Sequence, residues 1–330
     1  MASITYLEAI REALREEMRR DPSVFLLGED IGVHGGSFKV TKGLIDEFGP
    51  ERIKDTPISE GTIVGAAMGA AMNGLRPVAE IMFVDWITLA MDQVVNQAAK
   101  ASYMFCGQYR VPLVIRAPSG GGGGKGTAAQ HTQNLEAWFA HVPGLKVVIP
   151  GTPYDAKGLL KTAIRDDNPV LFLEQKALYA AQGDVPEGDY TVPFGAAKVV
   201  REGHDATVVT FGAFLHEVLK AVERLEEEGI GVEVIDLRTL KPLDMETIYG
   251  SVRKTNRVVI AHEAVRGFGA GAEIAANIAE EAIEYLAAPI QRVGAADVPV
   301  PFNNNEEARV LPQAGEVQQK ILKLVRDYPT

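Results

Sequence analysis

The stretch "DTPISEGTIVGAAMGAAMNGLRPVAEIMFVDW", residues 55–86, sets the architecture of the chain. Ser59 stands where a helix N-cap belongs, and Glu60 follows in the first turn, where a carboxylate complements the helix dipole by about 0.3–1 kcal/mol. The predicted helix over 60–74 is unusually poor in side chains. Gly61, Gly65 and Gly69 recur every four residues, with Ala66, Ala67, Ala70 and Ala71 around them. Such a face admits a very close neighbour, as small-residue faces do between membrane helices. It predicts a tight helix contact, one candidate being a subunit interface. A glutamate beside so dry a contact is costly without a partner, which makes Glu60 a candidate functional residue. The apolar run "RPVAEIMF" (76–83) then reads as a buried strand.

Outward from this helix–strand pair the same alternation continues. "VFLLGED" (24–30), "VPLVIRA" (111–117), "LKVVIP" (145–150) and "PVLFLE" (169–174) read as strands, and 86–106, 133–140 and 153–167 as helices. Leu7, Ile10, Leu14 and Met18 stripe one face of an opening helix. Apolar strands alternating with helices predict βαβ units and a parallel sheet covered on both faces. Residues 175–200 carry prolines and glycines without a period and read as a linker. A second α/β run follows, with strands at 205–212, 231–240, 257–263 and 290–297. A striped helix starts near Leu215, and the tail 313–327 is predicted helical. Two domains fit a 330-residue chain at about 150 residues per domain.

Composition narrows the function classes. The formal net charge of −11 argues against nucleic acid or an anionic membrane surface as a main partner. The single cysteine, Cys106, rules out an internal disulfide framework and a multi-cysteine metal site. The N-terminal residues lack a signal core and carry early acids. No apolar run approaches the roughly 18 residues of a membrane span. The expectation is a cytoplasmic protein, or a matrix protein whose presequence has been removed.

Several motifs invite nucleotide chemistry. "SGGGGGKG" (119–126) resembles a P-loop, but the pattern G-x-x-x-x-G-K-[ST] aligns its first position with Ser119 and its last with Gly126, so both fail. A loop bare of side chains still lets a substrate or cofactor approach the backbone. "GFGAG" (267–271) opens a helix after a strand but lacks the third glycine at the dinucleotide spacing, and close helix–sheet packing is the plainer reading. There is no G-x-S-x-G and no H-E-x-x-H, and the histidines (34, 131, 141, 204, 216, 262) are scattered.

"GEDIG", "FKVTKGL", the 55–83 stretch, "DQVVNQAAK", "GGGGGKGTAAQHTQNLEAWFAHVPGLKVVIP", "DAKGLLKTAIRDDNPVLFLE", "VEVIDLRTLKPLD" and "VVIAHEA" together resemble the beta subunits of thiamine-diphosphate-dependent 2-oxo acid dehydrogenases. These belong to the decarboxylating component of pyruvate, branched-chain 2-oxo acid and acetoin dehydrogenase complexes. The resemblance covers nearly the whole chain, with the motifs in the family's order. It implies a transketolase-like α/β fold, with a pyrimidine-binding domain over 1–190 and a transketolase C-terminal domain over 200–330. It also implies an α2β2 heterotetramer with thiamine diphosphate between alpha and beta chains. The family's Mg²⁺- and diphosphate-holding "GDG" segment is missing here, so Mg²⁺ falls to the alpha chain.

The match of "TPISEG" implies that Glu60 donates a hydrogen bond to the aminopyrimidine ring nitrogen, favouring the imino tautomer that accepts the thiazolium proton. Ile58, Met82, Phe83 and Trp86 are the implied cofactor wall, Trp86 offering an indole face to a flat heteroaromatic. For Met82 and Phe83 plain core packing stays an alternative. His131 in "QHTQ", where the family reads "HSQ", is the implied proton-handling residue where acyl passes to a lipoyl arm. His262 is a second candidate, or a residue that shapes the channel. A structural K⁺ is implied at Asp166 and Asn168, with carbonyls near Val111, Leu113, Val114 and Ala163.

The expected reaction is decarboxylation of a 2-oxo acid (pyruvate or branched-chain) with acyl transfer to a lipoyl-bearing acyltransferase core, for which the C-terminal domain is the implied dock. Acetoin cleavage is the alternative, favoured by "MFCGQYRVPLVIR" and "GTAAQH". A non-catalytic scaffold subunit and a nucleotide-dependent oxidoreductase are rivals. The sequence departs from the family in its long glycine run and in "PFNNNEEARVLP" (301–312), with three asparagines at Asn303–Asn305.

Overall fold

A computed structural model of the chain describes residues 2–121 and 127–328. Two compact units emerge, the first from 1–119 and 138–194, the second from 120–137 and 195–330. The short segment 120–137, which carries His131, therefore packs with the second unit although the first surrounds it in sequence.

The first unit is built on parallel strands in the order β6-β7-β5-β4-β2-β3. They are β2 (Val24–Gly28), β3 (Ile53–Asp55), β4 (Arg76–Glu80), β5 (Val114–Ser119), β6 (Lys146–Val148) and β7 (Val170–Gln175). The strands β2, β5 and β7 are buried along their whole length, as apolar runs covered on both faces must be. Helix α1 (Tyr6–Arg20) buries Ile10, Leu14 and Met18 as its stripe predicts; Leu7 is only half-buried. Its Thr5 cap and Glu8 close a capping box. On the far side α1 meets α6 (Pro153–Arg165), where Lys157 and Lys161 are buried against Glu16 at 2.7 and 2.6 Å.

Helix α3 (Glu60–Met72) packs on β4 and on the segment that follows it. Its first glycine is needed there: a Cβ on Gly61 would stand 3.2 Å from the Leu89 carbonyl oxygen, whereas one on Gly65 would meet Gln93 at an ordinary 3.5 Å. Gly69 faces open space, so the close contact covers only the first half of the helix. Ser59 occupies the N-cap, but its hydroxyl donates to the Pro57 carbonyl (3.2 Å) and leaves the helix uncapped by a side chain.

Two expectations are corrected. Residues 86–106 are not one helix. Val84–Ala90 forms a 3₁₀ segment, Asp92–Ala98 a π-helix, and only Ala99–Met104 (α4) is α-helical. Tight and wide turns of this kind reset the helix phase and are common near functional sites. Nor is 175–200 a free linker. β7 runs on to Gln175, β8 (Gln182–Val185) pairs antiparallel with β1 (Ala2–Thr5), and Val192 N–H bonds the Gly158 carbonyl. A Cβ on Gly158 would lie 2.5 Å from Val192, so the strap needs that glycine. A strap held by one short strand pairing and scattered hydrogen bonds has no period for the sequence to display.

The second unit is a five-stranded sheet in the order β14-β13-β10-β11-β9. Strands β10 (Ala206–Thr210), β11 (Val232–Asp236), β13 (Val258–Val265) and β14 (Gln291–Ala295) are parallel, and β9 (Lys198–Arg201) is the antiparallel edge. A short strand β12 (Thr239–Lys241) and helix α8 (Met245–Thr255) lead into β13. Helices α7 (Phe214–Glu227) and α11 (Ala314–Asp327) bury Val218, Leu225, Val317 and Ile321 against Val208 and Val259. The pairing of β13 with β14 shifts register between Ala261 and Val265, and this irregular stretch contains His262 and Glu263. No helix among the described residues is long and apolar enough to cross a membrane.

Candidate active site

In the first unit the carboxyl of Glu60 is buried at the first position of α3. A second buried carboxyl, Glu29, stands just past the end of β2, and neither of its oxygens makes a hydrogen bond of ordinary length. Burial, and then the charge of Glu60, push the Glu29 carboxyl above its usual range, so it holds a proton to higher pH. A carboxyl kept protonated in a dry site can donate a hydrogen bond as well as accept one.

Behind these lies an ion cluster inside the sheet. The fully buried Arg116 guanidinium donates to Glu174 (2.6 Å) and to Glu80 (2.9 Å), and the Tyr179 hydroxyl donates to Glu174 (2.6 Å). The flanking carboxylates hold Arg116 firmly protonated against the effect of burial, while burial pushes Glu80 upward despite the arginine. The parallel register dictates the cluster: Glu80 pairs with Arg116, and Glu174 pairs two residues further along, with Pro118, so the three side chains share one face.

Of the residues expected to wall the cofactor, Phe83 and Trp86 touch each other. Trp86 is half-buried and meets Phe83 edge-on, centroids 5.5 Å apart. Phe83 in turn meets Phe38 at 5.6 Å, and Lys176 lies 5.2 Å over the Phe83 ring. Phe38 packs on Tyr179 at 5.0 Å, joining the aromatic row to the Arg116 cluster. Phe83 is thus engaged on several sides, Met82 is half-buried, and Ile58 is 81% exposed.

In the second unit His131 sits half-buried on a loop whose ends meet: Gly120 N–H bonds the Gln133 carbonyl at 3.0 Å. The Thr127 hydroxyl donates to the His131 carbonyl (3.3 Å), and the Thr132 hydroxyl to the Ala128 carbonyl (2.6 Å). The tempting residue of the failed P-loop, Lys125, lies outside the described residues, as do Gly122, Gly123, Gly124 and Gly126. Oε1 of Glu263 accepts from Gly121 N–H (2.6 Å) and from the Asn134 amide (2.9 Å). Glu136, at the start of α5 (Glu136–Ala140), is pushed up to about 7, first by burial and further by the charge of Glu263.

His262 is 1% exposed, and burial lowers it to about 4, so its ring is neutral at physiological pH. It stacks on Phe211 at 5.7 Å, and Nε2 accepts from Gly271 N–H at 3.3 Å, which puts the ring proton on Nδ1. This explains "GFGAG". A Cβ on Gly269 would lie 2.9 Å from the imidazole, and one on Gly271 2.8 Å, so the glycines let α9 (Ala270–Glu281) close over the histidine. The asparagine stretch has a similarly local reason: the Asn303 side chain caps α10 (Asn304–Val310), accepting from Asn305 N–H at 2.9 Å.

Of the residues named for a K⁺ site, Asp166 and Asn168 bond each other directly, and Val111 N–H bonds the carbonyl of Asp167 between them. Asp166 pairs with Lys146 through one oxygen and accepts from both nitrogens of Asn168 through the other, at 2.8 and 3.1 Å. The carbonyls of Val111, Leu113 and Ala163 each accept one backbone N–H and retain a lone pair. The carboxylate charge is already met by the lysine, so the set fits a weakly held monovalent ion through carbonyl oxygens better than a divalent one. Among the described residues no three His, Cys, Asp or Glu side chains are grouped to hold a metal.

The sequence matches the transketolase pyrimidine-binding domain family over residues 2–182 and the transketolase C-terminal domain family over residues 195–317. It is 49% identical over 321 residues to the pyruvate dehydrogenase E1 component subunit beta of Rickettsia felis, covering 97% of this chain and 98% of that protein. It is 47% identical over 328 residues to the acetoin:2,6-dichlorophenolindophenol oxidoreductase subunit beta of Cupriavidus necator, covering 96% of each. Among solved structures, a split-gene transketolase in an inactive beta4 tetramer aligns with a TM-score of 0.80 at 25% identity, over 99% of this chain and 100% of that one.

Proposed function

Because the chain belongs to the transketolase-like beta subunits of the pyruvate and acetoin dehydrogenase type, we propose that it supplies the pyrimidine-binding half of a thiamine diphosphate site in an α2β2 enzyme that decarboxylates a 2-oxo acid. When bound, thiamine diphosphate supplies the carbon nucleophile and the electron sink for the departing carbon dioxide. The alpha chain holds Mg²⁺ and the diphosphate.

The observation that carries this reading is Glu60, a buried carboxyl fixed on the first turn of α3 beside a second buried carboxyl, Glu29. Glu60 donates its hydrogen bond to the aminopyrimidine ring nitrogen and so biases the tautomer. Glu29, pushed upward by burial and by the charge of Glu60, stands close enough to feel that carboxylate. Trp86 closes the ring pocket, and Phe83 supports it from behind. His131 moves a proton where the acyl group passes to a lipoyl arm. His262, neutral and buried beneath Gly269 and Gly271, exchanges no proton near pH 7. A potassium ion at the carbonyls of Val111, Leu113 and Ala163 would brace the turn at Asp166. The second unit docks the lipoyl-acyltransferase core, and the compartment is the cytoplasm or the mitochondrial matrix.

Co-expression with the alpha partner, followed by turnover of pyruvate, branched-chain 2-oxo acids and acetoin, tests the reading and fixes the substrate. Replacement of Glu60 by alanine should abolish turnover. An alanine variant at Glu60 or His131 with full activity would instead favour a scaffold role.

A further inference from the structure

We propose that Glu263 is a positioning residue that sets where His131 stands, an inference that rests on the role given to His131 above. The loop from Gly120 to Asn134 is tied to β13 through one carboxylate oxygen, which accepts from the backbone at the loop's start (Gly121 N–H, 2.6 Å) and from a side chain at its end (Asn134 amide, 2.9 Å). Both bonds are charge-assisted, the stronger class of hydrogen bond.

Between these two bonded positions stands His131. The loop's internal bonds run among its own residues, from Thr127 to His131, from Thr132 to Ala128 and from Gly120 to Gln133. They give it a shape of its own. Gly121 is also the close-packing point: a Cβ there would lie 2.9 Å from Leu311 and 3.3 Å from Glu307. The register shift in β13 sends the neighbouring His262 into the core beneath Gly269 and Gly271, leaving Glu263 half-buried and turned to the loop. A strand therefore fixes a loop that carries a proton-handling group, and an error of 1 Å in such a group can cost about a hundredfold in rate.

The test uses the assembled α2β2 enzyme with its lipoyl substrate. Two rates are measured for each variant: reductive acylation of the lipoyl domain, and decarboxylation read with an artificial electron acceptor. Glu263→Ala should lower the ratio of acylation to dye-linked turnover at least about tenfold, with KM for the 2-oxo acid unchanged. Glu263→Gln keeps an acceptor oxygen and should recover part of the loss. Asn134→Asp, which leaves β13 intact and sets a second carboxylate against Glu263, should reproduce the loss even if Glu263→Ala folds poorly. The double variant His131→Ala with Glu263→Ala should fall no further than His131→Ala alone. Hydrogen exchange at 127–135 should quicken in both Glu263→Ala and Asn134→Asp. Acylation that survives both Glu263→Ala and Asn134→Asp but not His131→Ala overturns the positioning role and leaves His131 in place. Additive losses in the double variant overturn it as well. Full acylation by His131→Ala sinks the assignment of His131 and this inference with it.

Discussion

Glu60 and His131 are held by opposite means. Glu60 rides on the first turn of a helix whose Gly61 brings its backbone close to the Leu89 carbonyl, and behind it a sheet is cross-braced by Glu80, Arg116 and Glu174. Its position is fixed many times over. His131 stands in a loop whose Gly121 and Asn134 are both held by one carboxylate oxygen. A group on a regular element survives the loss of any one neighbour, whereas a group on a loop can be displaced by a single substitution.

The largest effect should come from breaking the brace. Arg116→Ala strands two buried carboxylates and should cost about 3–5 kcal/mol, seen as a fall in the denaturant midpoint of the assembled enzyme. A loss below 1 kcal/mol would mean that water reaches the cluster. Glu60→Gln keeps the shape and the fold but removes the acid; a drop of about 10²–10³ in kcat with an unchanged melting temperature would separate chemistry from scaffolding.

The next pair of predictions concerns the titrating groups of the second unit. Glu136 rises from an unfolded value near 4.5 to about 7, so the native state binds the extra proton. Stability is therefore lost as pH climbs from about 4.5 to about 7, by about 3 kcal/mol in full, and Glu136→Gln should abolish that slope. His262 falls from 6.5 to about 4, so the unfolded state binds the extra proton. Stability is lost instead as pH drops from 6.5 towards 4, by about 3 kcal/mol, and His262→Gln should flatten the acid limb. Urea unfolding across pH 4–8 checks both signs. The smallest effect is at a cap: Asn303→Ala should cost about 1 kcal/mol and loosen α10 in hydrogen exchange without changing turnover in the dye-linked assay.

The parts of this molecule that the sequence discloses are those with a period. The parallel strands read as apolar runs, α1 and α7 as stripes, and the glycine-spaced α3 as a close contact. The strap over 175–194 and the broken helix after Trp86 have no period, so neither shows in the sequence. The Arg116 cluster did leave a trace. "RPVAEIMF", "VPLVIRA" and "PVLFLE" each place a lone charge inside an apolar run, and parallel pairing brings the three together. Glu60 and His131 were legible chiefly through family resemblance. Glu29 and Glu263 were not singled out, because one carboxylate beside a strand looks like any other.

The register shift in β13 has a consequence for how this chain can vary. His262 and Glu263 are adjacent, and each fits only its own side of the sheet, the imidazole under two glycines and the carboxylate towards the loop. Strand side chains alternate in parity, so deleting one residue upstream within β13 would turn each to the opposite face. That single frameshift in space would drive a carboxylate into the slot beneath Gly269 and Gly271 and withdraw the anchor from Gly121 and Asn134. Substitutions can be absorbed there one at a time; a change in length cannot.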